Sequence, residues 1–160
     1  MGQYYLVVNK TKKQFLNPHA FHDGAKAWEI IADAGILKGL GYLLITSDEG
    51  GGSDLKENPL VGYWAGDEII IVGDYDSSKL HEEAYTTYTD ISSSVIAALL
   101  GESGGLHIFQ KEIIKMLQGT IKEKPPVPFD ELTKIKRQRQ PDPEPELTSI
   151  LDDPEMLEIY

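Results

Sequence analysis

Gly62-Tyr63-Trp64-Ala65-Gly66-Asp67-Glu68-Ile69-Ile70-Ile71-Val72-Gly73-Asp74-Tyr75-Asp76 is the stretch on which the fold turns. Ile69 to Val72 is an unbroken β-branched run, with Gly66 before it, Gly73 after it and acids on both sides. Such a run reads as a strand covered on both faces, which places it in the middle of a core. Trp64 and Asp67 stand at its entry, Asp74 and Asp76 at its exit, so a site is first sought at one of these strand ends. Trp64 reads as a core aromatic beside the strand rather than as an exposed anchor.

Outward from this strand, Tyr4-Tyr5-Leu6-Val7-Val8 and Lys13-Gln14-Phe15-Leu16 read as the arms of a hairpin around Asn9-Lys10-Thr11-Lys12, with Asn17-Pro18 stopping the second arm. Asp23 is a good N-cap for a helix running to about Ala34, with Gly35 as its C′ residue and Trp28, Ile31 and Ala32 toward the core. Leu43 to Thr46 looks like another strand, and the loop from Ser47 to Asp54 is too polar and glycine-rich to pack. After the run, Ser77 or Ser78 can cap a short helix through Leu80, Glu83 and Ala84, while Tyr85 to Thr89 fits strand or loop. Ser92 opens a helix to Leu100, closed by Gly101, with Ile91 and Ile96 spaced as a hydrophobic staple. Leu106, Phe109, Ile113, Met116 and Leu117 form the stripe of a further helix ending at Gly119. The reading is α+β: a small, mostly antiparallel sheet with an N-terminal hairpin and a central buried strand, packed by three to four helices.

The 160 residues suffice for one domain with a real core, and a hydrophobic share of 41% is ordinary for a soluble chain. No apolar run approaches the roughly 18 residues that span a membrane, and the N-terminus lacks the pattern of a signal peptide. Without cysteine there is no disulfide framework, thiolate metal site or cysteine nucleophile. A cytoplasmic location is the expectation. The formal charge of −11 disfavours attraction to nucleic acids or anionic membranes.

That charge is blocked. Residues 1–121 carry 9 bases and 16 acids, residues 122–139 carry 6 bases and 3 acids, and residues 140–160 carry 7 acids and no base. No glycine follows Gly119, and seven of the nine prolines fall from Pro125 to Pro154. An acidic globular domain is therefore expected over 1–124, and a Pro-rich tail over 125–160. Pro125-Pro126-Val127-Pro128 reads as a stiff spacer. Phe129, Leu132 and Ile135 are spaced for one short helix carrying the basic segment 134–139. In the acidic segment 142–160, Leu147, Ile150 and Leu151, then Met156, Leu157, Ile159 and Tyr160, form two apolar clusters among acids. That is how a segment looks when it folds on a partner surface, since a purely solubilising tail needs no such anchors.

Gly2-Gln3-Tyr4-Tyr5 with Val8-Asn9, Pro18-His19-Ala20-Phe21-His22-Asp23-Gly24, and Trp64-Ala65-Gly66-Asp67 followed by Gly73-Asp74-Tyr75 resemble a family of small bacterial proteins with no assigned activity. The resemblance covers the first half of the chain and extends weakly to Asp90-Ile91-Ser92. It implies no cofactor, substrate or site residue.

His19-x-x-His22-Asp23 is the one arrangement with metal-ligand composition, and Asp74 and Asp76 offer carboxylates to complete a divalent-ion shell. Such an ion lowers the pKa of a bound water and supports hydrolysis. The plainer assignment makes Asp23 and Asp76 helix caps, Asp74 a turn former and His22 a solvated side chain. Gly50-Gly51-Gly52 lacks the spacing of a phosphate cradle and lies among acids. No Gly-x-Ser-x-Gly elbow places a nucleophile. The leading expectation is a cofactor-free, non-catalytic protein-binding module that engages a protein partner, or another copy of itself, through its tail. A metal-dependent hydrolase using His19, His22, Asp23, Asp74 and Asp76 is the alternative, and an acidic mimic of nucleic acid the third.

Overall fold

The computed structural model describes residues 2–32, 35–46, 55–102 and 111–134. Strands β1 (Tyr5–Asn9) and β2 (Gln14–Leu16) form the N-terminal hairpin, with Val7 opposite Leu16 and Asn9 opposite Gln14. Strand β3 (Ile69–Gly73) runs antiparallel to β1, and the two-residue β4 (Thr89–Asp90) runs parallel to β2. The order β3-β1-β2-β4 makes a mixed four-stranded sheet, and the fold is α+β.

The sheet is covered on both faces where β1 and β2 lie. Val7 and Leu16 enter the main core with Phe21, Trp64, Ile91 and Leu117, while Leu6, Val8, Phe15 and Val72 pack beneath helix α3 (Leu80–Thr87). The β-branched run itself is a strand but not a central one. Among the described residues it is an edge strand, and Ile70 and Ile71 are each 42% exposed. β-Branching fixes the extended conformation, but the strand's rank in the sheet is decided by the hairpin, whose β1 takes the middle place.

Helix α1 (Ala27–Ile31) is short, and α2 (Gly35–Leu44) follows it. Gly35 thus opens a helix instead of closing one, and Asp23 caps α2 across the intervening helix by accepting from the Ile36 N–H at 2.7 Å. Within α1 the buried residue is Ile30, leaving Trp28 75% and Ile31 60% exposed, the reverse of the expected orientation. Leu43 and Leu44 belong to α2 and not to a strand. Gly39 is packed closely within this helix: a Cβ on it would sit 3.0 Å from Val95 and 3.1 Å from Phe21, so those side chains would have to shift by a few tenths of an ångström to admit alanine.

Helix α4 (Ser92–Gly101) follows β4 with both staple residues, Ile91 and Ile96, buried. The acceptor for its first N–H is the Asp90 carboxylate, 2.9 Å from Ser92 N, whereas the Ser92 hydroxyl accepts from Asn17 N at 2.8 Å. Ser78 does accept from Leu80 N at the start of α3. Helix α5 (Lys111–Glu123) packs on α4 and runs through Gly119. Leu106 and Phe109, and the loop from Ser47 to Asp54, lie outside the described residues.

The packed structure does not stop at Lys124. Val127 N donates to the Ser94 hydroxyl at 2.9 Å, Phe129 meets Tyr63 edge to face at 5.6 Å, and Leu132 in helix α6 (Phe129–Lys134) is fully buried. The stretch that reads as a spacer is a strap across α4, since its prolines remove donors without preventing Val127 from packing half-buried against the core or Leu132 from being fully buried.

Candidate functional site

The alternation of an antiparallel ladder fixes which backbone groups of β3 are spoken for. Asp74 N donates to Tyr4 C=O at 2.9 Å and Lys10 N to Glu68 C=O at 3.0 Å. With Leu6 opposite Val72 and Val8 opposite Ile70, the residues turned toward β1 are 68, 70, 72 and 74. Ile69 and Ile71 therefore turn their N–H and C=O groups to the open side, where no described residue takes them. Such an edge is a template for another extended chain. The exposed Ile70 and Ile71 side chains lie on opposite faces of it.

The two ends of this edge differ. At the entry, Asp67 is buried beside Lys12 in an ion pair, accepts from Asn9 Nδ2 at 2.9 Å, and the Lys12 ammonium stands 4.9 Å from the Tyr63 ring centre. Glu68 forms an exposed pair with Lys10. This end is locked. At the exit, Asp74 accepts from Tyr4 N at 3.1 Å, and the solvent-exposed Asp76 is held below the usual carboxylate range by hydrogen bonds from the Ser78 hydroxyl and N–H. Asp74, Tyr75 and Asp76 are all exposed, so this end presents negative charge to solvent.

Trp64 is fully buried, as its composition-based reading required, and its indole N–H donates to Gln14 Oε1 at 2.8 Å. His19 and His22 border one cavity of about 540 Å³ with Phe15, Tyr85, Tyr88 and the Lys124–Asp90 ion pair. His22 Nε2 is 3.0 Å from the Thr120 hydroxyl. Burial, and next the Glu83 carboxylate, raise the pKa of the Tyr88 phenol above its ordinary value. The metal constellation does not assemble. Asp23 is turned to the α2 N-terminus, Asp74 and Asp76 are engaged at the exit of β3, and no group of three metal-ligating side chains occurs among the described residues. The tail anchors Leu147, Ile150, Leu151, Met156, Leu157, Ile159 and Tyr160 lie outside the described residues.

Two consequences are measurable. Ile71→Pro removes an outward N–H and leaves the β1 ladder intact, a placement that edge strands tolerate, whereas Ile70→Pro removes a donor facing β1. Urea unfolding should show a loss of stability about 1–3 kcal/mol larger for Ile70→Pro, which leaves an acceptor of β1 unpaired, than for Ile71→Pro. Burial pushes the Asp23 carboxyl above its ordinary range, against the opposing bonds from Ile36 and Gly35 N–H. A raised folded-state pKa contributes stability at low pH that is lost as pH rises through the folded value. Asp23→Asn keeps an oxygen at the cap without ionising, so its stability relative to wild type should increase as pH rises from below the ordinary carboxyl value of 3.8 through the higher folded-state value.

No family model, curated protein or solved structure matches this chain. Among the described residues no helix is long and apolar enough to cross a membrane.

Proposed function

We propose that this chain is a non-catalytic protein-binding module whose folded part takes up an extended, basic segment of a partner along the free edge of β3. The observation that supports this most is the edge itself: outward backbone groups at Ile69 and Ile71, half-exposed isoleucine side chains on both faces, and acids at the exit. Main-chain pairing supplies affinity in this mode, and side-chain chemistry supplies choice. The net charge of −11 steers basic partners toward the domain and repels acidic ones. The tail clusters at Leu147 to Leu151 and Met156 to Tyr160 then act as second anchors on the same partner. A cytoplasmic setting fits a cysteine-free acidic module.

The test uses a fluorescein-labelled synthetic peptide of alternating valine and lysine as the probe on the full chain. Binding should weaken at least tenfold in Ile71→Pro, which loses an outward donor, and survive in Ile71→Val. Equal binding to both variants would remove the edge from the account.

A further inference from the structure

The cavity of about 540 Å³ lies at the opposite edge of the sheet from β3, where β2 and β4 meet α3 and α5. What it binds is therefore independent of what pairs with β3. Its walls are aromatic and held in place. Tyr85 is 58% exposed, yet its ring is steadied by Phe15 at 5.9 Å and by His81 at 6.3 Å. Tyr88 is half-buried against the same cluster as Phe15. An exposed aromatic already fixed by its neighbours loses little freedom when another flat ring covers it. The rim is polar. Asn17 N donates to the Ser92 hydroxyl at 2.8 Å, and Asn17 Oδ1 accepts from His19 N at 3.1 Å, which fixes this side chain. The Asn17 side-chain NH2 and the His19 imidazole have no partner among the described residues. His22, with its ring on the Thr120 hydroxyl, has a left-handed backbone at φ 58°, uncommon for a residue with a Cβ. Strain of this kind persists where the surroundings hold it, and it clusters at ligand sites.

We propose that this cavity binds the base of an uncharged nucleoside, stacked against Tyr85 and Tyr88 and held along its edge by Asn17 and His19. A nucleobase has flat faces for the aromatic walls, and donors and acceptors on its edge for an amide and an imidazole. Charge sets the uncharged form. The described lining holds one base, Lys124, against two acids, Asp90 and Glu123, and Lys124 is already paired with Asp90. A phosphate or carboxylate therefore meets an exposed Glu123 without a cation of its own. Other ligands fit less well. A metal ion finds no group of three ligating side chains among the described residues. An aliphatic chain would strip water from Asn17 and His19 and replace none of its bonds.

The test titrates adenosine, guanosine, cytidine and uridine, each to millimolar concentration, into isotopically labelled full chain and follows the backbone amides by NMR. At least one nucleoside should saturate, moving the amides of Asn17, His19, His22 and Tyr85 and leaving those of Ile69 and Ile71 in place. Its monophosphate should bind at least tenfold more weakly. Tyr85→Ala should weaken nucleoside binding at least tenfold, while Tyr85→Phe, which keeps the stacking ring, should change it less than twofold. His19→Ala removes an exposed ring that supports no described contact, so the fold is kept and binding should weaken about fivefold. Failure of all four nucleosides to saturate overturns the proposal. So does a monophosphate that binds as tightly as its nucleoside, or binding that is unchanged in both Tyr85→Ala and His19→Ala. Because nucleoside and valine–lysine peptide report on different amides, one can fail without the other.

Discussion

Asp67→Ala is expected to lower folding stability by about 3–5 kcal/mol, because it leaves the Lys12 ammonium buried without its counter-charge. The Lys12 and Asp67 side chains are 7% and 2% exposed, and Asp67 also accepts from Asn9, so the substitution takes a partner from two buried donors. Glu68→Ala, one residue on, removes an exposed partner of Lys10 and should change stability by only about 0–1 kcal/mol. Urea unfolding of the two variants gives the comparison directly. The double variant Lys12→Met, Asp67→Leu removes both charges and should recover most of the loss. If Asp67→Ala and Glu68→Ala unfold at the same midpoint, the entry of β3 is not locked in the way described.

Ending the chain after Lys124 should be more damaging than its proline content suggests. Leu132→Ala alone is expected to cost about 2–5 kcal/mol as a buried large-to-small change. Removing the whole strap also takes away Val127 and Phe129, the bond from Val127 N to Ser94, and the acceptor for the Tyr63 hydroxyl. That loss is comparable with the entire stability of a typical domain, about 5–15 kcal/mol. A chain ending after Lys134 keeps every one of these contacts and should still melt cooperatively. Thermal unfolding of the two truncations by circular dichroism distinguishes them, and equal melting temperatures would show that the strap adds nothing to the core.

Much of the architecture was legible because local chemistry and tertiary role agree there. The hairpin follows from two apolar arms around Asn9 to Lys12, and the Ile91–Ile96 pair marks the start of α4. Trp64 declared its burial by size and setting. Where the reading failed, the deciding contact is distant in sequence. Asp23 has the composition of a cap, but the helix it serves begins after another helix. Trp28 and Ile31 follow helical spacing, but that spacing does not tell which side of α1 meets the core, and Ile30 does. The run Ile69 to Val72 has the composition of a central strand, and only the pairing of β1 with both neighbours shows it to be an edge. Spacing likewise brought His19 and His22 to one cavity without bringing Asp23, Asp74 or Asp76 to them. The signal available for the edge was the crowd of acids around an apolar run. Charges flanking an apolar strand commonly guard an exposed edge against unwanted pairing.

The central claim is that the open side of β3 receives an extended basic chain. Titrating the valine–lysine peptide into isotopically labelled full chain, and following every backbone amide by NMR, addresses it most directly. The account predicts that the largest shifts, with slowed hydrogen exchange, fall on Ile69, Ile71 and the exit residues Asp74 to Asp76. Shifts concentrated instead around His19, His22 and Thr120, with Ile69 and Ile71 unmoved, would contradict it and transfer binding to the histidine cavity.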